Sequence, residues 1–186
     1  MIKKLLEKGS LLLAEPSILG DVTFARAVIL VAEYNPSGAV GFILNKPFTF
    51  PLNDLIPEIT PHFKLYNGGP VEEDNLYFIH NVPKLIPNSV EISQGIYWGG
   101  DFELTKNLIN SGQLGPDNIR FFLGYSGWAA DQLQEELEAN SWIVAQNTYN
   151  DSLIGVSATH FWKNQLLALG GEYVLWSNAP ENPQLN

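Results

Sequence analysis

The stretch Ile119-Arg-Phe-Phe-Leu-Gly-Tyr-Ser-Gly-Trp-Ala-Ala-Asp-Gln-Leu-Gln-Glu-Glu-Leu-Glu-Ala-Asn-Ser-Trp142 decides the fold class. Its opening, Ile119 to Leu123, is apolar and aromatic and reads as a strand. Gly124 and Gly127 flank Tyr125 and Ser126, and the segment Gly124 to Trp128 reads as a turn. From Ala129 to Ala139 the spacing of Ala130, Leu133 and Leu137 places three small or apolar side chains on one helical face, and Asn140 is suited to a left-handed terminator. Trp142-Ile-Val-Ala145 then reads as another strand.

Working outward, strands joined by short turns dominate. Leu11-Leu-Leu13 is short and apolar. Ala27-Val-Ile-Leu-Val-Ala32 and Val40-Gly-Phe-Ile-Leu44 flank the turn Asn35-Pro-Ser-Gly38, which predicts a β-hairpin. Asn45 to Pro51 reads as a loop and Leu52 to Leu55 as a helical turn. Lys64 to Tyr66, Leu76 to Ile79, Val90 to Ile92 and Ile96 to Trp98 read as strands. Asp101 is placed to cap a helix that runs to about Asn110 and closes at Gly112. A further helix is predicted over Ser157 to Leu169, ended by Gly170-Gly171. The order lacks the strand–helix alternation of a doubly wound sheet. The expectation is one α+β domain over residues 1–186, with a mixed or antiparallel sheet and about three flanking helices. A short helix over 1–8 and a tail over 178–186 complete it.

The composition excludes several chemistries. No cysteine is present, so disulfides, thiolate metal sites and thiol nucleophiles are all ruled out. Ten basic residues against twenty acidic ones leave a net charge of −10. From Phe121 onward Lys163 is the one basic residue. Clustered lysines and arginines for phosphate neutralisation are therefore missing, which argues against nucleic acid. A basic protein partner or a neutral small molecule fits the charge better. No run reaches the roughly 20 apolar residues of a membrane span, and Glu7 and Lys8 interrupt the N-terminal apolar stretch too early for a signal peptide. These features read as a cytoplasmic protein.

Candidate chemistry is sparse. Gly124-Tyr-Ser126-Gly-Trp128 lies between a strand and a helix, the context of a nucleophile elbow, but its second glycine comes one residue early. With Asp131 or Asp151 and then His160, Ser126 gives a serine–acid–histidine order and hence a candidate hydrolase. The alternative is a structural turn with Ser126 as helix cap. His62, His80 and His160 lack ligand spacing, so no metal site is read, and no phosphate-loop or dinucleotide pattern implies a cofactor. Glu135, Glu136 and Glu138 read as a solvated helix face.

Several short motifs together resemble one known family. They are Gly9-Ser-Leu-Leu-Leu-Ala-Glu-Pro16 with Asp21 and Phe24, Gly38-Ala-Val-Gly-Phe-Ile-Leu-Asn-Lys-Pro47, Gly68-Gly-Pro-Val71, Gly124-Tyr-Ser-Gly-Trp128 with Gln132-Leu133, and Trp142. In order and spacing the chain resembles the YqgE/AlgH-like family of bacterial proteins along nearly its whole length. The resemblance implies a compact α+β fold of coiled, partly barrel-like sheets. It also implies a link to transcriptional regulation, notably of alginate production, without a set of catalytic residues. Family members often carry alanine where this chain has Ser126, which weakens the nucleophile reading. The leading functional reading is a non-enzymatic binding or regulatory protein acting through protein contacts. Its candidate surface is Gly68, Gly69, Pro70, Tyr125, Trp128 and Asp131. A hydrolase using Ser126 with His160 is the alternative, and direct DNA binding ranks last.

Overall fold

The computed structural model describes residues 5–16 and 21–178. They form one α+β domain built on a large open sheet. Ten strands follow in chain order: β1 (Leu11–Ala14), β2 (Val28–Asn35), β3 (Gly38–Ile43), β4 (Pro47–Pro51), β5 (Lys64–Asn67), β6 (Val71–His80), β7 (Val90–Ser93), β8 (Ile96–Trp98), β9 (Ile119–Ala129) and β10 (Trp142–Ala145). Helices α1 (Phe102–Asn110), α2 (Gln132–Glu138), α3 (Phe161–Leu169) and the single turn α4 (Tyr173–Trp176) pack against the sheet. Short 3-10 segments lie at Leu52–Asp54 and Asn150–Gly155.

The main path of the sheet is β10-β1-β2-β3-β9-β6-β8-β7, with β4 and β5 joined to it through β9. All pairings are antiparallel except β5 with β9. The path ends at β10 and β7, so the coiling expected of this sheet stops short of a barrel. Strand β9 is its axis. On one flank it pairs with β6 from Ile119 to Tyr125. On the other it pairs first with β5, from Phe121 to Leu123, and then with β3, from Ser126 to Ala129.

Gly124 to Trp128, expected as a turn, is therefore the middle of the longest strand. Glycines on both sides permit a backbone crossing. A Cβ on Gly68 would lie 2.2 Å from the Gly124 carbonyl oxygen, and one on Gly69 would lie 2.3 Å from the Tyr125 carbonyl. Gly69 also has φ +146°, which L side chains rarely adopt. Isolated glycines look like turn signals, but here they clear space for a neighbouring segment of the same chain.

Other corrections have equally local causes. Pro47–Pro51 pairs with β5 instead of looping, because a strand at the sheet margin tolerates prolines that lack an N–H. The helix after β9 begins at Gln132, not Ala129. The helix predicted from Ser157 begins at Phe161, after a 3-10 segment at Asn150–Gly155. Residues 5–7 of the expected N-terminal helix carry no regular structure, and residues 1–4 and 179–186 lie outside the described residues. The Asp101 cap is present: its carboxylate accepts the Leu104 N–H at 2.9 Å.

Three apolar clusters fill the layers. Alternate residues of β1 feed opposite faces, as a period of two requires. Leu11 and Leu13 join Phe42, Phe122, Phe161, Trp162 and Leu166 under α3. Leu12 and Ala14 join Ile29, Val31, Trp128, Leu133 and Trp142 under α2. The third cluster lies under α1 around Phe63, Phe78, Ile109 and Phe121. Rings stack at the centre, with Phe42 and Phe122 at 5.0 Å. Each fully buried phenylalanine contributes roughly 1.5–3 kcal/mol.

Gly69→Ala places a methyl group into backbone, and we expect it to destabilise the protein by about 3 kcal/mol or more. Gly112 also has positive φ, but a methyl group there would meet nothing within 4 Å. Gly112→Ala should therefore cost only about 1 kcal/mol. Urea midpoints compare the two directly, and equal losses would refute the crossing as the constraint.

Candidate functional site

The serine lies inside the sheet junction. Ser126 is fully buried. Its hydroxyl donates to the Gly68 carbonyl at 3.1 Å, and the same oxygen accepts the Ile43 N–H at 3.0 Å. The Gly68 N–H donates in turn to the Leu123 carbonyl at 2.8 Å. Ser126 thus helps seal the point where β5 gives way to β3 beside β9. It caps no helix, and a hydroxyl without exposure offers no face to a substrate. His160 lies elsewhere, exposed at the start of α3 with φ +58°. Asp131 is exposed ahead of α2, also left-handed, and its side chain makes no cap.

His80 is a buried structural histidine. Its Nδ1 accepts the Val82 N–H at 3.2 Å, and its Nε2 donates to the Gly99 carbonyl 3.1 Å away. Tyr97 stacks on the ring. This arrangement requires neutral imidazole, and burial pulls its pKa below the usual value, outweighing the Gly99 bond. His62 is exposed. Among the described residues no group of three or more His, Asp or Glu is placed to hold a metal ion.

Arg120 is the buried cation. It donates to the carbonyls of Leu44, at 2.9 Å, and of Val156, and its guanidinium lies 4.7 Å from the Tyr66 ring centre. Burial lowers its pKa from the ordinary value, with Tyr66 acting in the opposite sense. It ties β9 to the end of the hairpin and to the approach to α3. An exposed cluster on the β6 bulge is smaller: the Tyr77 hydroxyl and the Asn75 amide both donate to Glu72 and hold its carboxyl below the usual range.

The residues expected to form one surface fall into two groups, Gly68 to Pro70 beside Tyr125 at the crossing and Trp128 with Asp131 near α2. Gly68 and Gly69 are buried in the crossing, and Pro70 beside them is exposed. Tyr125 packs edge-on against Tyr77. Trp128 is buried, and its indole N–H donates to Glu136 at 2.9 Å. Trp142 donates to the same carboxylate oxygen at 2.7 Å, while Gln132 donates to the other oxygen at 3.0 Å. Glu136, read as solvated, therefore clasps α2 to β9 and β10. Asp131 lines a small concavity of about 340 Å³ against the β2–β3 turn.

Next to it lies a larger groove of about 880 Å³. It runs between α2 and the α3–α4 segment, along β10. Leu137, Trp142, Leu169, Tyr173 and Trp176 contribute apolar and aromatic lining, and among the described residues its charged lining residues are Glu15 and Glu172. The size suits a ligand or peptide site. Sequence reading missed this groove because its residues come from five separate elements and the segment before β1. The tryptophans 142 and 176 were the available signal, but nothing in the sequence says which tryptophans reach a surface.

Comparison with known proteins agrees with this architecture. A profile described as AlgH-like matches residues 11–174. The chain is 46% identical over 184 residues to a UPF0301 protein of Cytophaga hutchinsonii, covering 98% of this chain and 100% of that one. It is 40% identical to a UPF0301 protein of Bacteroides fragilis, covering 96% and 91%. The solution structure of the AlgH protein from Pseudomonas aeruginosa superposes with a TM-score of 0.71 at 25% identity, covering 95% of this chain and 98% of that one. A crystal structure from Corynebacterium diphtheriae superposes at 0.77 with 22% identity, over 96% and 95%. The chain belongs to the AlgH-like family. Among the described residues no helix is long and apolar enough to cross a membrane.

The buried polar groups can be tested one at a time. Ser126→Ala removes one hydrogen bond while Gly68 keeps its bond from Ile43, so the loss should be about 1 kcal/mol. A fluorophosphonate should leave native Ser126 unlabelled, and labelling there would restore the nucleophile. For His80 the unfolded chain binds a proton more readily than the folded one. Stability is complete above the ordinary pKa of about 6.5 and declines as pH falls below it. The drop in urea midpoint between pH 7.5 and 5.5 should be smaller in His80→Gln than in the native protein.

Proposed function

We propose that this protein is a non-catalytic binding protein of the cytoplasm that acts on partner proteins in a regulatory role, using the groove along β10. One observation carries this reading: the groove is a concavity of about 880 Å³ lined by aromatic and aliphatic side chains together with Glu15 and Glu172, and among the described residues no lysine or arginine lines it. Aromatic side chains at an accessible site supply large contact area at low entropic cost. The reactive-looking groups lie away from it. Ser126 and Arg120 are occupied by backbone carbonyls, and His80 is locked by Val82 and Gly99. The net charge of −10 favours a partner with basic character and opposes nucleic acid.

This reading puts the site away from the surface expected from sequence. Gly68 and Gly69 serve the crossing, and Trp128 serves the Glu136 clasp. Asp131 stays at the margin, because Tyr34 and Gln134 line both its concavity and the groove.

Ala168 is exposed and lines the groove, so Ala168→Arg fills it without entering the core. Affinity capture from nuclease-treated lysate of the source organism should enrich a reproducible protein partner. That partner should be lost with Ala168→Arg and retained with Gln113→Arg, an exposed site near α1. Retention of every partner by Ala168→Arg would overturn the groove as the binding site.

A further inference from the structure

The groove is more specific than a hydrophobic trough, because a sheet edge runs through it. Trp142, Ile143 and Val144 all line it. Consecutive strand residues point to opposite faces. Trp142 and Val144 belong to the cluster under α2, and Ile143 to the cluster under α3. What all three present to one groove is the strand edge itself.

Among the described residues the edge is unpaired. The Glu15 N–H donates to the Ser141 carbonyl at 3.0 Å, which extends the register Leu13↔Ile143 and Leu11↔Ala145. Hydrogen-bonded and non-hydrogen-bonded pairs alternate along an antiparallel ladder. Ile143 and Ala145 thus bond inward to β1, and the N–H and C=O groups of Trp142 and Val144 point outward. Among the described residues no strand pairs with that side of β10.

Proteins normally blunt such edges with charge, proline or a bulge. The other margins of this sheet conform. Strand β7 carries Glu91, and β4 begins and ends with proline. Strand β10, Trp-Ile-Val-Ala, has neither charge nor proline, and its register with β1 has no bulge. It has β-forming side chains at three of four positions. Helices α2 and α3–α4 stand on opposite faces beside it, so an added strand would meet a wall on each side.

Resting on the groove reading above, we infer that β10 accepts an extended peptide of a partner protein as an added antiparallel or parallel strand. The peptide alternates basic and apolar side chains. The apolar ones pack against Leu137 on the α2 face. The basic ones point to the opposite α3–α4 face, where Glu172 lines the groove and the Tyr173–Trp176 pair can take a cation on a ring face. A second copy of this chain would bring another net charge of −10 to the same edge, so charge selects a basic partner over self-pairing. Only two residues offer outward backbone groups, so main-chain bonds fix register and the walls supply most of the affinity. A dissociation constant of about 10–100 μM is expected of so short an edge.

The test uses the full chain and a positional-scanning library of N-acetylated hexapeptide amides. Arg or Lys should be selected at alternate positions, with Val, Ile or Leu between. Backbone N-methylation of the best peptide on its pairing side should weaken binding about tenfold or more. Hydrogen exchange at the Trp142 and Val144 amides should slow when the peptide is added. Val144→Pro removes one outward N–H at an edge position that tolerates proline, and should weaken binding similarly. Selection of acidic peptides, or of none, overturns the inference. Binding that Ala168→Arg abolishes but N-methylation leaves unchanged, without protection of the two amides, overturns strand addition while the groove reading stands. A dimer in sedimentation that Val144→Pro dissociates would give the edge to a second copy and also overturn it.

Discussion

The backbone of Gly68-Gly69 passes the backbone of β9 at Gly124 and Tyr125 more closely than any Cβ allows. Everything else in the sheet is arranged around this approach. It lets one strand, β9, hold β6 along one flank while β5 and β3 succeed each other along the other. The Gly68 peptide group fills the gap between them, donating to Leu123 and accepting from Ile43 and Ser126. The buried Ser126 hydroxyl would otherwise go unsatisfied, at a cost of about 1–3 kcal/mol. The second lone pair of the Gly68 carbonyl is what accommodates a serine there.

The same use of polar groups recurs deeper in the molecule. Arg120 is buried without a carboxylate in contact, and its fork spans two carbonyls from different segments. A lysine, with one compact ammonium, could not bridge them in the same plane. His80 joins the end of β6 to the Gly99 turn as a neutral ring. Glu136 takes two indoles on one oxygen and an amide on the other, which orients α2 over Trp128 and Trp142. Among the described residues no buried side-chain nitrogen or oxygen lacks a partner. Ser126, His80 and Arg120, which look reactive in one dimension, are consumed by structure in three.

On the binding role proposed above, function rests on shape and charge. The helices α2 and α3 cover opposite faces of the β1–β10 end of the sheet and project beside it. The edge strand between them is apolar and uncharged, in a protein with twice as many acidic as basic residues. A binding role needs no group to change protonation or form a bond. It needs a concavity, an anchor and a field, and these occur together at β10.

Much of this was legible from residues alone. The Ala27 to Leu44 hairpin declared itself through two apolar runs around Asn35-Pro-Ser-Gly38. The α1 helix did so through Asp101 and Gly112, and Asn140 through its tolerance of left-handed backbone, observed at φ +57°. The absence of cysteine, the acidity and the family motifs were equally plain. These features are local: they depend on neighbours in sequence. Three others depended on neighbours in space. Gly124 to Trp128 looks like a turn until the Gly68-Gly69 segment is seen to need the volume Gly124 vacates. Ser126 looks like a nucleophile until the Gly68 carbonyl is found above it. Trp142-Ile-Val-Ala145 reads as a strand from sequence, but whether it is central or an open edge depends on what pairs with it, and no property of those four residues encodes that.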